Sequence, residues 1–176
     1  MGPDELTIAL SLLALQGVMG AFDTLYYHEW HARLPSTRGA ARELRLHALR
    51  DGAYAILFGS LAWLEPRGWY TVVLAILLLA EIVITMLDFL EEDAHRPLPA
   101  GERVMHSLMA IVYRAFLAYL LPEMWTWWQQ STALVPHSHG WLSYIMTAMA
   151  CGVLASGIRD WIAANSHTNR AATHNG

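Results

Sequence analysis

Residues 69–95 read WYTVVLAILLLAEIVITMLDFLEEDAH. From Trp69 to Leu90 this stretch carries only two charged residues, Glu81 and Asp88, and it exceeds the ~20 residues that a membrane-spanning helix needs. Three acids and a histidine follow at once, because the stretch ends in EEDAH. The pattern predicts a transmembrane helix whose last turns gather polar side chains at one face of the membrane.

Four other apolar segments flank this one: Leu6–Tyr27, Ala40–Leu64, Val104–Leu121 and Trp141–Ala163. The chain of 176 residues is 55% hydrophobic and only 15% charged, whereas a soluble domain is usually about 25% charged. We therefore expect an all-α integral membrane bundle of about five transmembrane helices. Residues 1–165 should form this single domain and residues 166–176 a polar tail. The second and fourth segments are poor in apolar residues, so they should bring polar groups to membrane depth.

The arginines give the expected orientation. All eleven basic residues are arginines. Most belong to one side of the bundle, namely Arg33, Arg38, Arg42, Arg45, Arg50, Arg96, Arg103, Arg159 and Arg170. Only Arg67 falls in a loop on the other side, so the positive-inside rule predicts the N-terminus outside and the C-terminus in the cytoplasm of a bacterial-type inner (plasma) membrane. The net charge of −4 gives no reason to expect a nucleic-acid partner.

Histidines and acids gather on the arginine-rich side, at the ends of the first four segments. The candidate metal ligands are Asp23, His28, His31, Glu43, His47, Asp51, Asp88, Glu92, His95, Glu102 and His106. Glu43, His47 and Asp51 follow one another at intervals of four residues and therefore share a helix face. Glu92 and His95 form a Glu-x-x-His pair, which supplies two ligands in ferritin-like di-iron bundles.

Electrostatics explains why such a group would bind metal. Each ionised acid at membrane depth costs on the order of 2.5–3.5 kcal/mol, and neighbouring acids repel one another. A divalent cation relieves both costs. Mixed imidazole and carboxylate donors suit iron, manganese or zinc, and the number of acids predicts two ions. Two alternatives stay open: a network of Arg–Glu salt bridges at the membrane surface and, less well supported, a haem held by two histidines.

Other polar residues have separate interpretations. Glu81 and Arg114 lie near the middle of antiparallel segments at similar depth, so we expect an intramembrane ion pair. A proton path or a contact with a substrate headgroup is the alternative there. Tyr27, Tyr113 and also Tyr54 are candidate catalytic phenols near the metal site. The remaining histidines are expected to be structural, and they are His137, His139, His167 and His174.

The layout resembles that of integral-membrane non-haem di-metal enzymes, namely the membrane hydroxylases, the desaturases and the alternative quinol oxidase. The resemblance lies in HEWH (28–31), ELRLH (43–47), DFLEEDAH (88–95) and ERVMH (102–106), one motif on each of four helices at one membrane face. It covers about the first 110 residues. The sequence has a single Glu-x-x-His and no repeated His-x-x-His-His box.

This resemblance implies a metal-dependent oxidoreductase of the hydroxylase, desaturase or oxidase type, with two ions that are most simply iron. Its partners would be a membrane lipid or other lipid-soluble substrate and a redox partner, and an oligomer is compatible with the sequence. Two other functions remain possible. One is a divalent metal transporter, and the other is a metal-binding membrane assembly subunit.

The arginine bias makes the orientation testable. A reporter fused after Gly176 should be active only as a cytoplasmic reporter, and one inserted near Ser131 should be active only as an external reporter. Alkaline phosphatase and green fluorescent protein fusions measure the two cases. The opposite pattern would place the acid-rich end of the bundle outside the cell and contradict the orientation.

Overall fold

The computed structural model describes residues 4–37, 40–95 and 97–174, except for the side chains of Pro35, His95 and residues 167–174. Five long helices form the described chain. They are α1 (Glu5–Phe22), α2 (Ala41–Trp63), α3 (Trp69–His95), α4 (Ala100–Trp128) and α5 (Trp141–His174). A π-helix, Asp23–His31, continues α1, and a short 3-10 helix, Leu34–Ser36, follows it. The expected all-α architecture is confirmed.

Four helical stretches are long and apolar enough to cross a membrane: Glu5–His31, Trp69–Ala94, Ala100–Trp128 and Trp141–Ser166. Large apolar side chains on their outer faces are exposed, as lipid-facing residues would be, and examples on α3 are Val73, Ile76 and Leu79. These features indicate a membrane protein. The second helix, α2, is not among the four, because its first half contains Glu43, His47, Arg50 and Asp51.

The bundle has an apolar half and a polar half. Its apolar core joins the start of α1 and α3 to the end of α2 and α4, through fully buried residues such as Leu10, Leu13, Leu61, Phe116 and Leu120. Buried acids and histidines occupy the opposite ends of the same four helices. Consecutive helices run in opposite directions, so the end of one helix lies beside the start of the next. Polar residues therefore gather at one end of the bundle and apolar residues at the other.

A small antiparallel ribbon closes the apolar end. Strand β1 (Leu64–Arg67) pairs with β2 (Ala133–Pro136), where connecting loops had been expected. Glu65 on this ribbon bonds with Arg67 at 2.6 Å and lies 3.2 Å from His137 Nδ1. This contact lies at the apolar end of the bundle, away from the buried acids and histidines, and fits the structural role expected for His137.

The two ends of the chain also have local explanations. Asp4 caps α1 by accepting a hydrogen bond from the Thr7 amide at 2.7 Å, and hydrogen bonding with Thr7 lowers the pKa of the Asp4 carboxyl. At the other end, α5 continues to His174. Residues 166–174, which belong to the expected polar tail, are therefore helical in the described backbone.

Helices α2 and α5 pack most extensively against each other, and Gly157 permits their close approach. A Cβ atom added at Gly157 would lie 2.9 Å from Asp51 Cβ and 3.2 Å from the Ala48 carbonyl oxygen. Backbone and Cβ atoms cannot move aside as a flexible side chain can. Gly152, on the same helix, has nothing within 4 Å of the corresponding position.

This difference gives a matched pair of variants. Gly157→Ala should destabilise the protein by about 1–3 kcal/mol, because the methyl group overpacks the contact between α2 and α5. Gly152→Ala should leave stability unchanged or raise it by up to about 1 kcal/mol through helix propensity. Thermal or denaturant unfolding in detergent measures both effects. Equal responses of the two variants would contradict the close packing at Gly157.

Candidate metal centre

The π-helix determines which residues of the first helix enter the bundle. Its hydrogen bonds join residues five apart, as in the 2.8 Å bond from the Ala32 amide to the Tyr27 carbonyl. Residues at i and i+5 therefore face the same way. Asp23 and His28 have this spacing and are both buried, with only 2% of each exposed. An α-helix would have aligned Asp23 with Tyr27 instead.

His28 lies at the centre of three carboxylates from three helices. Its Nε2 atom is 3.4 Å from Asp23 Oδ2, 3.5 Å from Glu92 Oε1 and 3.5 Å from Glu102 Oε1. His106 joins the group from α4, with Nε2 3.3 Å from Asp23 Oδ2 and Nδ1 3.8 Å from Glu92 Oε2. Phe89 stacks on the His106 ring at a centroid distance of 4.7 Å and fixes its plane.

A second group forms around His47 on α2. The His47 Nε2 atom is 3.2 Å from Asp88 Oδ1 and 3.6 Å from Glu92 Oε1, while Nδ1 faces Asp160 Oδ2 at 3.9 Å. Glu43, one turn earlier on α2, is also buried and completes this group. The His47 and His28 rings stack at 4.5 Å with an interplanar angle of 12°. The stacked rings leave no room for a porphyrin between them, which disfavours a haem held by this pair.

The donor atoms therefore form two sets that share one residue. The first set is His28, Glu92, Glu102 and His106, and the second is Glu43, His47 and Glu92, with all atoms of a set within 4.8 Å of one another. Metal–ligand bonds of about 2.0–2.2 Å place two donors on one tetrahedral ion roughly 3.3–3.6 Å apart. The separations around His28 fall in this range and exceed ordinary hydrogen-bond lengths. Glu92 lies where a carboxylate could bridge two ions.

Buried polar atoms test whether the site fits metal. Both ring nitrogens of His28, Nε2 of His47, and the Oδ1 atoms of Asp23 and Asp88 make no well-directed hydrogen bond to the described residues, although both Nε2 atoms lie within 3.6 Å of carboxylate oxygens. Leaving a buried polar atom unsatisfied costs about 1–3 kcal/mol. These atoms belong to residues whose chemistry suits a transition-metal ion. The donor set therefore fits iron, manganese or zinc.

Arginines bind the acids around the rim of the centre. Arg50 bonds with Asp88 Oδ2 at 2.5 Å, and Arg42 Nε lies 3.1 Å from Glu91. Arg159 bonds with Glu29 and, at 2.8 Å, with Asp160. Part of the salt-bridge network considered from the sequence is thus present. It surrounds the histidine–carboxylate groups rather than replacing them.

The structure does not bring every candidate ligand to the centre. His31 is exposed. Asp51 is buried but faces α5, where Ser156 is its hydrogen-bonding neighbour, and it belongs to neither donor set. The side chain of His95 lies outside the described residues, so its place in the Glu-x-x-His pair stays a prediction. Tyr27 is half-buried and lies over Gly101, the residue before Glu102, and the missing side chain of this glycine makes room for the phenol.

Glu81 and Arg114 do not form the expected ion pair among the described residues. Glu81 is 1% exposed and accepts a 2.7 Å hydrogen bond from the Thr85 hydroxyl, whereas Arg114 is exposed on the surface of the bundle. Equal depth did not bring the two together because their helix faces differ. Tyr113 also lies deeper than expected, beside Glu81 and Tyr54 rather than among the metal donors.

Two residues of the centre were not among the sequence candidates. Asp160 is 2% exposed and faces His47 from α5, and Arg50 holds Asp88 from α2. The signal for Asp160 was its place at the arginine-rich end of the fifth segment. Nothing in the spacing of Arg50 distinguishes it from the surface arginines around it.

The arrangement of these pairs predicts two different double-mutant cycles. Glu81→Gln and Arg114→Gln should have effects on stability that add to within about 0.5 kcal/mol, because the side chains do not touch. Arg50→Gln and Asp88→Asn should show a coupling of about 0.5–3 kcal/mol, because each side chain bonds with the other. Unfolding in detergent measures both cycles. Strong coupling of Glu81 with Arg114 would contradict the placement of Arg114.

The chain was also compared with known proteins. No protein-family model, no curated protein and no solved structure matches it.

Proposed function

We propose that this chain is a membrane oxidoreductase that holds two transition-metal ions between its helices and acts on a lipid-soluble substrate. The observation that supports it is the shared position of Glu92, which belongs to both buried donor sets. One ion would be held by His28, Glu92, Glu102 and His106, and the other by Glu43, His47 and Glu92. Asp23 and Asp88 lie beside these sets and would complete them.

Iron suits this donor set and also supports redox chemistry, and manganese is the second choice. Zinc suits the same donors but is redox-inactive. The surrounding residues would orient the ligands. Asp160 faces the Nδ1 side of His47, Arg50 holds one oxygen of Asp88, and Phe89 covers one face of His106. Partners of this kind fix the direction of ligand side chains and tune the ion that they bind.

The surroundings of the site support a substrate from the lipid phase. The helices that carry the ligands expose apolar faces over most of their length, so the bilayer would lie directly against the bundle. We propose that α2 crosses as a fifth span, with the buried Glu43, His47 and Asp51 of its first half facing the other helices and with the N-terminus outside. The centre then lies at the cytoplasmic edge of the membrane, where a redox partner could approach.

The apolar half of the bundle favours an enzyme over a metal transporter. Transport would need polar groups that continue from the centre to the other side of the membrane. The core beyond Tyr54 and Tyr113 is instead filled by residues such as Leu57, Phe58 and Phe116, each at most 2% exposed. An assembly subunit with a charged docking face is the remaining alternative, and metal analysis separates it from both other functions.

Metal content tests the proposal directly. Protein purified without chelator should contain one to two equivalents of a transition metal, as in di-metal carboxylate bundles. His47→Ala and His106→Ala should each lower the content by about one equivalent, and Glu92→Gln should lower it most, because Glu92 belongs to both sets. Inductively coupled plasma mass spectrometry measures the content.

Two histidines serve as matched controls. His31→Ala changes an exposed residue of the same π-helix that carries His28, and His137→Ala changes a residue beside the ribbon at the opposite end. Neither should alter metal content. Size-exclusion chromatography and circular dichroism show whether each variant is folded. A folded, metal-free wild type would overturn the metal centre, and a centre that shows no reversible redox signal when loaded with iron would overturn the oxidoreductase.

A further inference from the structure

A second polar layer lies deeper in the bundle than the metal centre. Each of the first four helices contributes one residue to it, and each contribution is seven residues from a residue of the centre. The pairs are Gln16 with Asp23, Tyr54 with His47, Glu81 with Asp88, and Tyr113 with His106. Seven residues make about two helical turns, or roughly 10 Å along the axis. The same faces that carry the centre therefore carry this layer.

Glu81 is the acid at the middle of this layer. It is 1% exposed, and none of the described arginines or histidines forms an ion pair with it. Its Oε1 atom accepts the hydrogen bond from Thr85, and the phenols of Tyr54 and Tyr113 neighbour the carboxyl group. The Tyr54 and Tyr113 rings are 6.4 Å apart at their centroids.

Several polar atoms of the layer lack an ordinary hydrogen bond to the described residues. They are Glu81 Oε2, Tyr113 Oη and Gln16 Oε1, and all three are buried. An ionised carboxylate accepts hydrogen bonds but donates none. A protonated carboxyl donates one O–H and accepts at its other oxygen. A protonated Glu81 would add one donor to a layer in which these buried oxygens lack an ordinary hydrogen bond.

The energy of burial favours the same state. An unpaired ionised carboxylate at the centre of a bilayer costs on the order of 2.5–3.5 kcal/mol even on the lowest scales. Arg50, on the neighbouring helix α2, bonds with Asp88, and no ion pair joins it to Glu81 among the described residues. This cation is thus already neutralised by another acid.

We propose that Glu81 is a proton-binding site in the core of the bundle, with Tyr54 and Tyr113 as neighbours of its carboxyl group and Gln16 as a partner of Tyr54. This site is distinct from the metal centre and does not depend on it. Thr85 and Asp88 follow Glu81 on one face of α3 and connect the two layers. A role as proton store for the oxidation rests on the proposed function, because it needs the metal centre as its partner.

Infrared spectroscopy of the protein in lipid tests the site at neutral pH. The wild type should show the carbonyl stretch of a protonated carboxyl, and Glu81→Gln should lose one equivalent of it. Glu5→Gln, which changes an exposed acid at the start of α1, should retain the band. Transfer into D₂O should shift the band within the measurement, and Tyr113→Phe should shift its frequency by removing a neighbouring hydroxyl.

The outcomes separate this proposal from the metal centre. Glu81→Gln should bind as much metal as the wild type, since the substitution is isosteric and lies two turns from the donors. A protonated-carboxyl band in a wild-type protein that contains no metal would contradict the metal centre and support the proton site. A folded Glu81→Gln protein whose infrared spectrum matches the wild type would overturn the proton site. A band that persists unshifted in D₂O would overturn its exchange.

Discussion

Buried carboxylates have to be compensated, and this requirement organises the whole bundle. Asp23, Glu43, Asp88, Glu92 and Glu102 are each at most 4% exposed and meet at one end of helices with apolar outer faces. Histidines and Arg50 lie among them, and the arginines at the rim bind other acids. The polar half can be buried only because four helices deliver donors and acids to one place, while the apolar half supplies the packing that keeps the helices together.

The change of helix type at Asp23 is part of this solution. In α1 the buried residues follow α-helical spacing, as Leu10, Leu13 and Ala14 show. Beyond Phe22 the spacing of five residues turns Asp23 and His28 inwards together and leaves His31 exposed. Helix segments of this kind are frequent at functional sites. The local geometry thus selects which histidine of the HEWH motif can reach the carboxylates of α3 and α4.

The sequence predicted the helices well because hydrophobic runs and their polar ends determine them. Among the candidate ligands, Glu43, His47, Asp88, Glu92 and His106 are buried at one end of the bundle, where the spacing of the sequence placed them. Some predictions of which side chains face one another were less successful. They assumed an uninterrupted first α-helix, or contact between two residues that lie at the same depth in the membrane. The pairing of Glu81 with Arg114 depended on helix rotation, which spacing within one helix does not define, and Asp160 enters only through the packing of α5 on α2.

A spacing of seven residues along each helix relates the two polar layers to each other. A residue added seven positions along a helix returns to nearly the same face, so a helix that presents His47 or His106 to the centre also presents Tyr54 or Tyr113 two turns deeper. Charge decreases from the outer layer to the inner one. Acids, histidines and arginine surround the centre, whereas phenols, an amide and a single acid form the deeper layer. Groups that remain neutral can be buried farther from water at lower cost, so the order of the two layers follows the polarity of the surrounding membrane.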